Sequence, residues 1–255
     1  MEKQSIKEIR NLFDTGEISE ELFLALKNDE RKGVQQLLTR FENKKRKERE
    51  LEEAFLKMST YENKCYKEGY QLIAGVDEAG RGPLAGPVVA AAVILPQEFK
   101  LPGLNDSKQL NESQRNSFYS IITEKAISYG ISIINSKQID TINIFEATKT
   151  AMNEAINKLQ PNADYVLIDA VELKGLSCPS ESLIKGDTKS ISIAAASVLA
   201  KVTRDRIMKD LHKEYPVYKF ATNMGYGTKE HLASIDEFGI TPYHRKSFAP
   251  IKDLI

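Results

Sequence analysis

Two hydrophobic rhythms divide this chain near residue 70. Before that point apolar residues recur three and four positions apart in a highly charged background that lacks proline. Ser5 with Glu8 fits a capping box and starts a short helix. Ser19 caps a second helix to about residue 27. Val34, Leu37, Leu38 and Phe41, then Leu51, Ala54, Phe55 and Met58, predict a third helix over about 29–65. Beyond residue 70 the apolar positions form short runs rich in β-branched residues and punctuated by Gly and Pro. Strands are predicted over 72–77, 88–95, 130–135 and 165–169, the second as the hairpin partner of the first. The fourth is apolar without alternation, as a strand buried on both faces would be. Helices are predicted over 144–159, within 188–215 after a leading loop, and over 228–238, where Gly239 stops the last. The order predicts an α/β protein, a mixed sheet with helices on its faces, behind a small all-helical segment: residues 1–70, then 71–255.

Acidic residues sit where these runs end. Asp77 and Glu78 close the first strand, Asp169 closes YVLID, and Asp187 lies in IKGDTKS ahead of the long helix. Neighbouring strands run about 4.8 Å apart, so two strand ends can bring carboxylates to one cation. Such a cluster suits divalent ions that clamp an in-line displacement at phosphorus. Taken singly, each acid also reads as a turn residue or a cap. Gly80, Arg81 and Gly82 follow the first pair at once, and Gly86 comes shortly after. Ala85 breaks any GxGxxG pattern and no GK[ST] follows, so this is neither dinucleotide fingerprint nor P-loop. It is a tight hairpin or a turn whose backbone meets a ligand.

Charge and composition narrow the class. Lys plus Arg number 36 and Asp plus Glu 36, so a nucleic-acid surface would have to be local. The run NKKRKERE at 43–50 is a solvated helix face, a helix break, or a phosphate-contacting surface weakened by its own glutamates. Cys65 and Cys178 stand far apart in no ligand spacing and read as free thiols. The charged amino terminus lacks the apolar stretch of a signal peptide, and no segment reaches a membrane-spanning length, so a soluble cytoplasmic protein is expected. His212 reads as a solvated helix residue; His231 either backs a site or sits on its helix. Ser192, Ala194, Ala195, Ala196 and Ser197 are small enough to let a helix approach the sheet closely.

Six stretches together carry a family resemblance. DEAGRGPLAGPVVAAAVIL from Asp77, LNDSKQL from Leu104, YVLIDA from Tyr165, KGDTKSISIAAASVLAKVTRD from Lys185, GYGTKEHL from Gly225 and TPYHRKSFAP from Thr241 resemble, in order, the motifs of bacterial ribonuclease HII. The resemblance spans about residues 70–250 and implies a ribonuclease H-like fold. It implies an endoribonuclease that cuts RNA in RNA–DNA hybrids and nicks 5′ of ribonucleotides embedded in duplex DNA. Misincorporated ribonucleotides and RNA primers would be removed, leaving 3′-hydroxyl and 5′-phosphate ends. Asp77, Glu78, Asp169 and Asp187 match the family's catalytic acids, which hold two Mn²⁺ or Mg²⁺ ions. Gly80, Arg81 and Gly82 match the turn that meets the ribose 2′-hydroxyl, the group that tells RNA from DNA. Ser107 and Lys108 match phosphate contacts, Tyr226 the ring that packs on the sugar, and Arg245 and Lys246 are candidate backbone contacts. The partners implied are RNA–DNA hybrid and ribonucleotide-containing DNA, bound by a monomer without a membrane. The sister family, ribonuclease HIII, typically has Gly-Thr-Gly at the turn and a sheet-containing amino-terminal domain, so it fits less well. A hybrid-binding module without catalysis would not need four acids.

Overall fold

The computed structural model describes residues 4–254. The chain divides into two compact units, Met1–Ala54 and Phe55–Ile255. In the first, α1 (Ile6–Thr15) begins at the predicted capping box. The Ser5 hydroxyl accepts the Glu8 N–H at 3.3 Å, and the Glu8 carboxylate accepts the Ser5 N–H at 2.7 Å. The hydroxyl of Ser19 caps α2 (Glu20–Lys27). With α3 (Lys32–Met58) these helices enclose Ile9, Phe13, Leu26, Val34 and Leu38, against which Phe23 and Phe41 pack. The charged run stays helical and exposed, its cations offset along the helix by pairs such as Lys45 with Glu48 and Arg46 with Glu50.

The third helix stops at Met58 rather than continuing to residue 65. Ser59 breaks it, and α4 (Thr60–Lys67) follows. The new direction buries Glu62 and Cys65. The two units part between Ala54 and Phe55, earlier than the compositional shift near residue 70, because Phe55 and Met58 join the core of the second unit.

That unit is built on a five-stranded mixed sheet. The strands are β1 (Ile73–Ala79), β2 (Val88–Ile94), β3 (Ser128–Ile134), β4 (Tyr165–Asp169) and β5 (Ser180–Leu183). Their spatial order is β3-β2-β1-β4-β5. β2 runs antiparallel to both β1 and β3, while β4 pairs in parallel with β1 and β5. The hydrophobic pattern did not reveal β5, whose sequence SESL is polar and lies at the sheet edge. Nor did it reveal α5 (Glu112–Lys125), whose apolar stripe is weak but whose Asn111–Gln114 capping box is complete.

Helices cover both faces. Over one lies α6 (Ser136–Asn157), interrupted at Asn143, whose φ of 66° is left-handed. The Asn143 side chain accepts the N–H groups of Phe145 and Glu146, so the helix predicted from residue 144 is the second half of α6, with its own cap. Ala147, Ala151, Met152 and Ala155 of α6 pack against Ala74, Val76, Ala90 and Ala92. Over the other face lies α7 (Ile191–Glu214), packed on Val89, Ala91 and Val93 through its run of small residues. Contact there is closest at Gly75, where a Cβ would stand 2.0 Å from the backbone carbon of Ser192. The Glu62 carboxyl group fastens the start of α7: it accepts hydrogen bonds from the Ser190 and Ser192 hydroxyls and the Ser192 N–H. The chain ends in a third layer containing α8 (Phe220–Asn223) and α9 (Lys229–Phe238), whose apolar residues close over Leu84, Ala85 and Met208. No helix among the described residues is long and apolar enough to cross a membrane.

Because backbone atoms meet at Gly75, no rotamer change can make room for a methyl group. Gly75→Ala is expected to lower stability by about 3 kcal/mol, the upper end of ordinary overpacking. The midpoint of urea unfolding, at unchanged slope, checks this.

Candidate active site

The parallel pairing of β1 with β4 decides where the acids fall. Val76 is level with Ile168, so Asp77 and Asp169 are the next residues on adjacent strands. Asp77 is buried, and its carboxylate accepts the Glu78 N–H at 2.7 Å and a hydrogen bond from the Ser197 hydroxyl of α7. The Asp169 carboxylate accepts the Gly186 N–H at 2.6 Å, which draws in the short 3-10 turn Gly186–Thr188 carrying Asp187. Lys185, left-handed at a φ of 56°, sets up that turn. Thus four acids from three separate stretches of chain face one another.

Their electrostatics show the strain of that arrangement. Burial, then the charges of Glu78 and Asp169, hold the Asp77 carboxyl well above the usual carboxylate range. Burial likewise raises Glu78, partly offset by Arg81, whose guanidinium stands 3.5 Å away. Asp187 is pushed up to about 6, by burial first and then by Asp106 and Asp169. Asp106, which the motif reading passed over in favour of its neighbours, hydrogen-bonds Asp187 and belongs to the cluster. Lys108 is exposed, and the same four aspartates, Asp106, Asp187, Asp77 and Asp169, favour its charged form against the cost of its burial.

One oxygen tests the fit of this cluster to a cation: Glu78 Oε2 is buried and has no hydrogen-bond partner. Carboxylates that repel each other, with an unpartnered oxygen among them, match what a hard divalent ion requires. Among the described residues, no three Asp, Glu, His or Cys side chains stand together closely enough to hold a metal ion by themselves. Magnesium does not need such a set, since it keeps several waters and is commonly held by one or two carboxylates together with substrate phosphates.

The glycine turn is held from behind by two buried arginines. Arg204 of α7 donates to the carbonyls of Ala85, Pro87 and Met224. Arg245 donates to those of Gly80, Arg81 and Gly86. At Gly80, with a φ of 98°, a Cβ would stand 2.1 Å from Arg204 Nε, so both conformation and space demand glycine. The Tyr226 ring stands beside the turn, half exposed, 3.5 Å from where a Cβ on Gly82 would be.

Three sequence expectations change. Arg245 is fully buried with its donors spent on turn carbonyls, so it supports the turn and does not contact a nucleic-acid backbone. Ser107 is buried too, its hydroxyl bonded to that of Ser197, so it backs Asp77 through Ser197 and is not placed to meet a phosphate. His212 is half-buried, with Nδ1 shielded from solvent and without a partner. Lys246 is exposed, as a backbone contact requires. His231 and His244 are both buried, their Nε2 atoms 3.0 Å apart. Arg204 was invisible as a turn support because its motif lies more than a hundred residues from the Ala85 and Pro87 carbonyls it holds.

Residues 74–251 match the family model of ribonuclease HII, and residues 5–66 match that of the ribonuclease HII N-terminal domain. The chain belongs to the ribonuclease HII family. A ribonuclease HII of Oceanobacillus iheyensis is 57% identical over 251 residues, 98% of this chain and 96% of that one. Among solved structures, ribonuclease H2 from Pyrococcus horikoshii OT3 aligns with a TM-score of 0.62 at 26% identity, over 71% of this chain and 96% of that one. Bst-RNase HIII in complex with Mn²⁺ shares the fold, with a TM-score of 0.54 at 19% identity over 74% of this chain and 70% of that one. The protein is therefore an endoribonuclease of the type 2 ribonuclease H group, with that group's fold.

Two outcomes follow from this geometry. Arg245→Ala removes three hydrogen bonds and is expected to lower stability by about 3 kcal/mol, whereas Lys246→Ala stays within about 0.5 kcal/mol. Thermal melts of the two variants check it. The buried His244 has its affinity for protons lowered to about 4, by burial first and then by His231. The unfolded chain binds that proton below about 6.5 and the folded chain does not, so stability falls as pH drops from about 6.5 toward 4. His244→Gln should flatten this slope, read as the difference in melting temperature between variant and wild type from pH 7 to pH 4.5.

Proposed function

We propose that this enzyme cleaves the RNA strand of RNA–DNA hybrids and nicks duplex DNA on the 5′ side of an embedded ribonucleotide. Asp77, Glu78, Asp169 and Asp187 would hold two divalent ions, Mg²⁺ or Mn²⁺. The observation that carries this is the convergence of mutually repelling, buried and half-buried carboxylates around the unpartnered Glu78 Oε2. Bound there, such ions would supply an activated water and charge neutralisation at the leaving oxygen, chemistry that leaves 3′-hydroxyl and 5′-phosphate ends. Ser197 and the Glu78 N–H orient Asp77, and the Gly186 N–H orients Asp169.

Substrate choice falls to the turn. Arg245 draws the carbonyls of Gly80 and Arg81 inward, which suits a turn that meets the ribose 2′-hydroxyl through its N–H groups. The exposed ring of Tyr226 beside Gly82 is placed to pack on the sugar at an RNA–DNA junction. Lys108 beside the acids and exposed Lys246 are the cations for neighbouring phosphates. The amino-terminal helical unit, with its exposed charged face, would add substrate affinity or bind another protein.

Cleavage-site mapping on a duplex with one ribonucleotide, in Mg²⁺, in Mn²⁺ and with chelator, tests the reading. A single nick 5′ of the ribonucleotide, dependent on either ion, is expected. Equal cutting of all-DNA duplex, or full activity in chelator, would sink it. Asp77→Asn is expected to lower kcat by more than about 10²-fold, the scale of losing a charge-stabilising group. Its melting temperature in chelator should match or exceed wild type, because the change relieves repulsion and a buried charge.

A further inference from the structure

Beneath the tyrosine turn lies a buried chain of hydrogen bonds that the catalytic reading does not use. The Thr241 N–H donates to His244 Nδ1 at 2.9 Å. His244 Nε2 and His231 Nε2 are 3.0 Å apart, and His231 Nδ1 lies 2.8 Å from the carbonyl oxygen of Tyr226. The chain has one consistent order of protons. A backbone N–H can only donate, so His244 Nδ1 carries no proton and the ring proton sits on Nε2. His231 Nε2 must then accept, which leaves the His231 proton on Nδ1, aimed at the Tyr226 carbonyl. A charge on either ring would oppose two N–H groups at one of these contacts. Burial lowers the proton affinity of both histidines, in keeping with two neutral rings. No third Asp, Glu, His or Cys stands with them as a metal set among the described residues. Tyr218 and Phe220 pack on both rings and keep the pair dry.

Each end of the pair reaches one half of the substrate face. His231 holds the Tyr226 carbonyl, which also accepts the Thr228 N–H at 2.8 Å. His244 bridges to Ala85 of the glycine loop and is followed by Arg245, which grips Gly80 and Arg81. We propose that His244 and His231 are positioning residues, a tautomer-locked pair that sets the Tyr226 ring against Gly82 and thereby sharpens selection of a ribose at an RNA–DNA junction. This deepens the reading of Tyr226 as the sugar contact and rests on it. Neither histidine touches substrate; both act through the backbone of the tyrosine turn.

Two variants separate positioning from mere packing. In His231→Asn the amide nitrogen takes the place of Nδ1 and keeps the bond to Tyr226. In His231→Gln the polar group takes the place of Nε2 and that bond is lost. The readout is the ratio of kcat/KM on a single-ribonucleotide duplex to that on a continuous RNA–DNA hybrid. It is expected to stay within about twofold of wild type for His231→Asn and to fall about tenfold, through KM, for His231→Gln, the scale of one hydrogen bond. Equal ratios in the two variants would overturn the proposal. The second measurement needs no variant: ¹⁵N NMR of the wild-type histidines is expected to place the protons on His231 Nδ1 and His244 Nε2. A proton on His231 Nε2 overturns the proposal whatever the enzyme cleaves. Loss of all junction preference in the wild type would instead strike the proposed function, and the NMR result would still decide the proton order.

Discussion

Like-charged carboxylates do not gather in a protein interior unless the backbone forces them together. Here the force is the parallel ladder between β1 and β4, which brings Asp77 level with Asp169. Nothing in the side chains favours that meeting; the charge of Asp169 raises the proton affinity of Asp77, Glu78 and Asp187. The sheet can impose it because its central strands are buried on both faces, by α6 on one side and α7 on the other. Apolar burial and strand hydrogen bonds over the whole layer outweigh the local repulsion, which stays at the strand ends where cations and substrate can reach it.

The approach of α7 completes the cluster. Gly75 lets the helix backbone rest directly on β1, and this close contact brings Ser197 to Asp77. Glu62 fastens the start of the same helix, just past the turn that presents Asp187. A residue from the amino-terminal side of the sheet thus helps fix a site formed by strands that follow it. The Asp187 turn is in turn drawn in by Asp169 through the Gly186 N–H, so the acids position one another through the backbone even as their charges repel.

Positive charge is used in two ways. At the surface, Arg81 and Lys108 face the acids and remain open to solvent. Inside, Arg204 and Arg245 donate to backbone carbonyls of the glycine turn and the chain after it. Burial pulls down the proton affinity of both, and Arg204 adds to the effect on Arg245. Two guanidiniums held by carbonyl dipoles make the turn stiff without covering its outer face. The neutral histidine pair extends this support to the tyrosine turn.

Much of this was legible in the residue pattern. Apolar runs located β1, β2 and β4, cap residues located α1 and α2, and acids at the ends of runs marked the site, because each of these signals is local. Where the signal was weak or distant, the pattern fell short: β5 is polar at a sheet edge, and α5 has little apolar stripe. Arg245 reads as a substrate contact from its charge, and Ser107 from the family resemblance, because neither a cation nor a motif position says whether a side chain faces phosphate or the protein interior. Only the packing of chain segments more than eighty residues apart turned them inward. The amino-acid order determined which groups the site could use; the tertiary structure decided which of them face solvent and which hold the others in place, since burial is a property of the packed layers and not of the local chain.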